Sequence, residues 1–220
     1  MGATEDSRRK SAYNETLTVA FLLSAASLLC VLSYLKVRFP GIHDRTAEPV
    51  RTGLDPSDVV SADSLCLGTR SAKTKLIMFG DYECPPCRSE WPKVEWFALE
   101  HQTALAVYFR YYPLVKIHPN AMQAAVAAEI AKQKGKFAAM HKRLYSSALN
   151  RDAIDKDFRE VGLRPTRDKS LELSAAHRVV DDLNLAMSLG LKGTPSFLLV
   201  DKAGTVYSLS SLDSARQFFN

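Results

Sequence analysis

Cysteine is scarce in this 220-residue chain: Cys30, Cys66, Cys84 and Cys87 are the whole supply. Four are too few for a small disulfide-stapled scaffold. Ten glycines exclude a collagen, and 46% hydrophobic against 24% charged residues excludes a wholly disordered chain. There is no internal repeat, no low-complexity tract, no phosphate-cradling glycine loop and no Ser-His-Asp arrangement. The excess of 29 basic over 24 acidic residues is modest and partly gathered near the N-terminal apolar run. No basic stretch alternates with aromatics, so nucleic acid is not an expected partner. The length allows one domain with an appendage. A core of about 150 residues buries roughly 70% of its unfolded surface and folds without staples.

One long apolar run is present. From Thr16 to Leu35 no residue is charged, and a helix of this length spans the ~30 Å hydrocarbon core at 1.5 Å per residue. A cleaved signal peptide is the alternative. Its small-residue site would be Ser24-Ala25-Ala26, which comes after only seven apolar-rich residues, and nothing suitable follows Leu35. Leu29 before Cys30 argues against a lipoprotein, and Asp6 breaks the myristoylation pattern. The expectation is a retained transmembrane anchor over 16–35, with 1–15 a cytoplasmic tail. Arg8, Arg9 and Lys10 on one side nearly balance Lys36, Arg38, Arg45 and Arg51 on the other. Orientation is therefore taken from the chemistry below, which favours a C-terminal domain in an oxidising, periplasmic or extracytoplasmic space. Residues 36–66, punctuated by Pro40, Gly41, Pro49, Gly53 and Pro56, read as a linker without regular elements.

From Leu67 the pattern alternates. Lys75–Asp81 and Leu105–Leu114 read as strands, with a helix opening at Pro85 between them. Helical patterns follow over Pro119–Lys134, Phe137–Leu149, Asp152–Val161 and Arg167–Leu189. Ser196–Val200 and Thr205–Leu209 read as a hairpin, and Ser211–Phe219 as a closing helix. A parallel pair followed by an antiparallel hairpin makes an α/β sheet covered by helices.

Cys84-Pro85-Pro86-Cys87 falls at a strand-to-helix junction. The spacing lets two sulfurs close a small ring across the first helical turn. A thiolate there faces unpaired N–H groups and the positive end of the helix dipole, which lowers its pKa from ~8.5 into the range of roughly 3.5–7.5. Cys84 is then the exposed nucleophile and Cys87, one turn in, the buried resolving thiol. The two prolines stiffen the turn and remove two donors to the sulfur. Two other readings stay open. An inert structural disulfide is one. Half of a zinc site is the other, drawing on Cys66, His101, His118 or His141, although none of these forms a second knuckle.

The other motif is Gly193-Thr194-Pro195-Ser196-Phe197. A trans bond is the ordinary state before such a strand. The functional reading is a cis-proline loop beside the cysteines, where the Thr194 backbone pairs with an extended substrate peptide. Asp81 and Glu83 flank the nucleophile and are candidate proton relays to Cys87, with a solvated loop carboxylate as the ordinary state. Arg88 is a candidate electrostatic helper. His118 reads as a helix-opening packing or capping residue, and Trp91 and Trp96 as core. Cys30 is expected to be inert in lipid and Cys66 to be a free, buried thiol.

The segment resembles the DsbA-like branch of the thioredoxin superfamily. The likeness rests on Phe79-Gly80-Asp81-Tyr82-Glu83-Cys84-Pro85-Pro86-Cys87, on His118-Pro119 with the Ala-rich helix and Gly135-Lys136-Phe137, and on Gly193-Thr194-Pro195-Ser196-Phe197. It runs from about Leu67 to Phe219. It implies a thioredoxin-like fold over 67–220 with a helical insertion at about 119–189. It also implies that Cys84 attacks, Cys87 resolves and Pro195 is the cis-proline. The expected activity is thiol–disulfide exchange with cysteine-containing exported proteins, needing no cofactor or metal and recycled by a membrane-bound or soluble redox partner. Pro85-Pro86 departs from the Pro-His of the strong oxidant of the family, so the direction of exchange stays open. A non-catalytic peptide-binding module and a metallochaperone remain the alternatives.

Overall fold

A computed structural model describes residues 48–60 and 65–219. The centre is a six-stranded sheet in the order β1-β6-β5-β3-β4-β2. Its strands are β1 (Val50–Arg51), β2 (Leu65–Gly68), β3 (Thr74–Gly80), β4 (Leu105–Tyr111), β5 (Ser196–Val200) and β6 (Val206–Leu209). β3 and β4 run parallel, and every other pairing is antiparallel. The parallel pair requires a crossover, supplied by helix α2 (Pro85–Glu100). A short helix, α1 (Pro56–Val59), precedes β2.

β3 is apolar nearly throughout because both of its faces are covered. Leu76 and Met78 point to one side, against Trp91, Val94 and Phe97 of α2. Ile77 and Phe79 point to the other, with Tyr108, Leu198 and Val59. This is the two-residue alternation of a strand. Between β4 and β5 the chain inserts four helices: α3 (Ala121–Gln133), α4 (Phe137–Ser146), α5 (Arg151–Glu160) and α6 (Lys169–Ser188). Alanines on α3 let it pack closely, and Ala124, Ala128 and Ala131 are wholly buried. Ala175 and Val179 of α6 join the core on the α2 side, while Ala186 joins the core on the opposite face.

One charge pair ties the insertion to the sheet. Arg110 of β4 donates to Asp182 of α6 at 2.5 Å and to the Val59 carbonyl oxygen at 3.1 Å. The other oxygen of Asp182 accepts the Tyr111 amide at 3.0 Å. Burial pushes the Asp182 carboxyl up, against the pull of Arg110.

Three expectations are corrected. The stretch read as a structureless linker, 36–66, contains β1, α1 and the start of β2. β1 pairs with β6 through only two residues, and α1 is held by an Asp55 capping box; neither is long enough to show periodicity. β4 ends at Tyr111 rather than Leu114, because Pro113 offers no amide and Leu114 turns its N–H to Asp81. The final element, Asp213–Phe218, is a 3₁₀ helix. The apolar run 16–35, Cys30 and the side chain of Cys66 lie outside the described residues. Among the described residues no helix is long and apolar enough to cross a membrane.

Candidate active site

The site forms where β3 ends. Gly80 is the last residue of the strand, and a Cβ there would meet the Phe109 ring at 2.5 Å and the Tyr145 hydroxyl at 2.9 Å. Only glycine lets the chain pass and turn. Cys84 then occupies the N-cap of α2, with extended backbone and no side-chain cap. Pro85 and Pro86 fill the first helical positions, where an N–H has no intrahelical use. Both sulfurs are free thiols.

β5 lies antiparallel to β3, with Ser196 opposite Phe79. That register carries the preceding loop to the cysteines. The Thr194–Pro195 bond is cis, and the Cys84 Sγ lies 3.3 Å from the Thr194 carbonyl oxygen. The loop therefore covers the sulfur. Cys84 is only 4% exposed, which corrects the expectation of an exposed nucleophile, and Cys87 is fully buried.

The two thiols differ sharply. Hydrogen bonding from Cys87 holds Cys84 well below the usual thiol range, at about 6, against the opposing effect of burial. Sharing that bond as donor, together with burial, pushes Cys87 far up. At neutral pH the pair is one thiolate and one thiol, with the charge on the sulfur at the helix N-terminus.

Asp81 and Glu83 are not solvated loop carboxylates. Asp81 is buried. Its Oδ1 accepts the Glu83 amide at 2.8 Å, and its Oδ2 accepts the Leu114 amide and the His118 Nδ1–H, each at 2.8 Å. Glu83 accepts the backbone and side-chain N–H groups of Asn120 at 2.6 and 2.9 Å. His118 therefore precedes the helix and serves Asp81, which corrects its reading as a capping or packing residue. Arg88 does not spend its charge on the sulfur. It donates to the carbonyl oxygens of Tyr82 (2.8 Å), Tyr145 (3.1 Å) and Ser147 (3.1 Å). Trp91 is core as expected, but Trp96 is 62% exposed.

Behind Cys87 lies an aromatic cluster that the motif reading missed. Tyr82 and His141 are joined by a 2.7 Å hydrogen bond. The His141 ring stands 4.1 Å from Trp91 and 4.9 Å from Tyr145, centroid to centroid. Burial keeps His141 neutral. The signal was available, since Phe137, Met140, His141, Leu144 and Tyr145 follow the helical core spacing.

Comparison with known proteins bears on the fold. A thioredoxin-like oxidoreductase from Silicibacter pomeroyi superposes with a TM-score of 0.58 at 24% identity, over 72% of this chain and 91% of that one. The catalytic domain of Proteus mirabilis ScsC gives 0.59 at 22%, over 74% and 94%. Pseudomonas aeruginosa DsbA2 gives 0.54 at 20%, over 73% and 94%. These neighbours share the fold. Among curated proteins, a Na(+)/H(+) antiporter NhaA of Salinispora tropica is 29% identical over 136 residues, or 60% of this chain. The chain spans about a fifth, 21%, of that relative's length. The family model for thioredoxin matches residues 61–214, and the chain belongs to the thioredoxin family.

Proposed function

We propose that this protein is a thiol–disulfide oxidoreductase that works through Cys84 and Cys87. The observation that carries the reading is the placement of two free thiols at the head of α2, with Cys84 at the N-cap 3.3 Å from the carbonyl oxygen of the cis Thr194–Pro195 loop and Cys87 one turn in; the acidity of Cys84, at about 6, and the upward displacement of Cys87 accord with it. In the reducing direction the Cys84 thiolate attacks one sulfur of a substrate disulfide. A Cys84–substrate bond forms, and the other substrate sulfur leaves as a thiolate that takes up a proton. Cys87 then gives up its proton and attacks the Cys84 sulfur, and the second substrate thiolate departs. Two electrons have passed to the substrate, and Cys84 and Cys87 are joined. The oxidising direction is the reverse, with the substrate dithiol giving up two electrons to the pair. The exchange uses the protein's own sulfurs and requires no cofactor.

Asp81 is the better of the two relay candidates, because its side chain is buried and its carbonyl oxygen accepts the Cys84 amide at 3.3 Å, whereas Glu83 is only half-buried and turned to Asn120. The Thr194 backbone and Pro195 are the proposed docking strip for an extended substrate segment. The expected clients are cysteine-containing exported proteins, and a membrane-bound or soluble redox partner resets the pair. The run 16–35 is proposed as the anchor that holds this domain, with its insertion, on the extracytoplasmic side.

The test is alkylation of the reduced protein across pH. Cys84 should react with a midpoint near 6, and Cys84→Ser should abolish both insulin reduction and dithiol oxidation. A midpoint at the ordinary thiol value, or full activity in the serine variant, would sink the proposal. Equilibration with glutathione fixes the direction: a potential near about −120 mV marks an oxidant and one near about −270 mV a reductant.

A further inference from the structure

The contacts of Asp81 give His118 a task. Asp81 has a fully buried side chain and accepts three hydrogen bonds; two come from backbone amides, which carry no net charge. The third comes from His118, the one partner of the three that can become a cation. The imidazole keeps 15% of its side-chain surface in solvent, so bulk protons reach it while they do not reach Asp81 directly. Asp81 in turn is tied to the cysteine turn: its carbonyl oxygen accepts the Cys84 amide at 3.3 Å, and its negative charge, the smallest of the effects acting on that thiol, opposes ionisation of Cys84. We propose that His118, acting through Asp81, is a positioning residue that governs how readily Cys84 becomes a thiolate.

The physical argument is one of compensation. An ionised Asp81 beside an uncharged imidazole presents a full negative charge to the sulfur, in a setting where water screens little. Protonated His118 cancels much of that charge at a contact of 2.8 Å, and the thiolate becomes cheaper to form. The titratable groups about this point come from four places. Asp81 and Glu83 lie on the loop after β3, and Lys116 lies on the loop of His118 itself. The two thiols head α2. Tyr145 of α4 keeps its proton because of burial, with Cys87, Tyr82, Asp81 and Cys84 adding to the rise. Glu83 is engaged by Asn120 at the start of α3. Asp81 and His118 are the pair in direct contact.

Coupling is reciprocal: if His118 eases Cys84 ionisation, a Cys84 thiolate must ease His118 protonation. This can be read on the native protein. Imidazole resonances of the five histidines, followed by NMR across pH in the disulfide and dithiol forms, should show a higher His118 midpoint in the dithiol form. Equal midpoints would overturn the inference. The second measurement uses variants. H118Q should slow alkylation of Cys84 at pH 5 by about tenfold, one unit of thiol acidity. D81N should speed it, and H118Q placed in the D81N background should change nothing further. An equal slowing in both backgrounds would show that His118 does not act through Asp81 and would overturn the inference. The inference rests on Cys84 being the attacking thiol. If Cys84 and Cys87 neither form nor exchange a disulfide, the functional reading itself falls; if they do and His118 is indifferent, only the role of His118 falls.

Discussion

At the scale of single residues, the site is a contest over protons among closely packed groups. Cys84 is acidic because Cys87 donates to it, and Cys87 is not because it does the donating. Replacing Cys87 by alanine should therefore raise the Cys84 midpoint from about 6 toward the ordinary thiol value of ~8.5. Thiolate absorbance at 240 nm across pH would show it. Gly80 carries a second residue-scale expectation. Gly80→Ala drives a methyl group into the Phe109 ring and the Tyr145 hydroxyl and should cost about 1–3 kcal/mol of overpacking, read from urea unfolding. The placement of Cys84 and Cys87 at a strand-to-helix junction was legible from their spacing and context, whereas the cis bond at Pro195 was implied only by the family resemblance. Asp81 was legible only as a neighbour of Cys84. Its burial depends on a loop 33 residues further along the chain, at Leu114, and no local pattern records that contact. His118 was misread for the same reason, since its partner lies 37 residues back.

Among elements, what matters is which helix is tied to which strand. The Arg110–Asp182 pair joins β4 to α6 in a buried setting, and the Arg110 guanidinium also satisfies the Val59 carbonyl oxygen behind α1. Removing one partner leaves the other charge buried and unpaired. Asp182→Ala should destabilise the domain by about 3–5 kcal/mol, whereas replacing both partners with apolar residues should restore most of that. Equilibrium denaturation of the single and double variants checks both. Elements with long periodic or apolar runs, such as β3, α4 and β5, stood out in the sequence. β1 and α1 did not, because two- and four-residue elements owe their form to tertiary pairing rather than to pattern. The closing 3₁₀ helix was read as an ordinary helix because the residue types at its start, Asp213 and Ser214, suit either kind of turn.

For the whole molecule, the redox state and pH are linked through stability. Cys84 ionises at a lower pH in the folded reduced protein than in the unfolded chain. That difference stabilises the reduced fold fully above the unfolded thiol value of ~8.5 and is lost as pH falls through the folded value. Cys87 runs the other way, but only above the unfolded thiol value, where the unfolded chain would release a proton that the fold retains. Between pH 6 and 8 the reduced form should therefore gain on the disulfide form. The melting temperature of the dithiol form should rise relative to that of the disulfide form as pH goes from 6 to 8. A constant gap would contradict the thiolate assignment.

The bonds of Arg88 bear on how the domain can be divided. The Tyr82 carbonyl belongs to the turn that leads into Cys84, and those of Tyr145 and Ser147 belong to the far end of α4. A single guanidinium thus buttons the extra helices onto the strand–turn–helix unit from which the cysteines project. Excising residues 119–189 to leave a minimal scaffold would strand this cation and expose Trp91, Phe109 and Tyr82 to water. The inserted helices serve as the back wall of the reactive turn, and any trimmed version would need a new one.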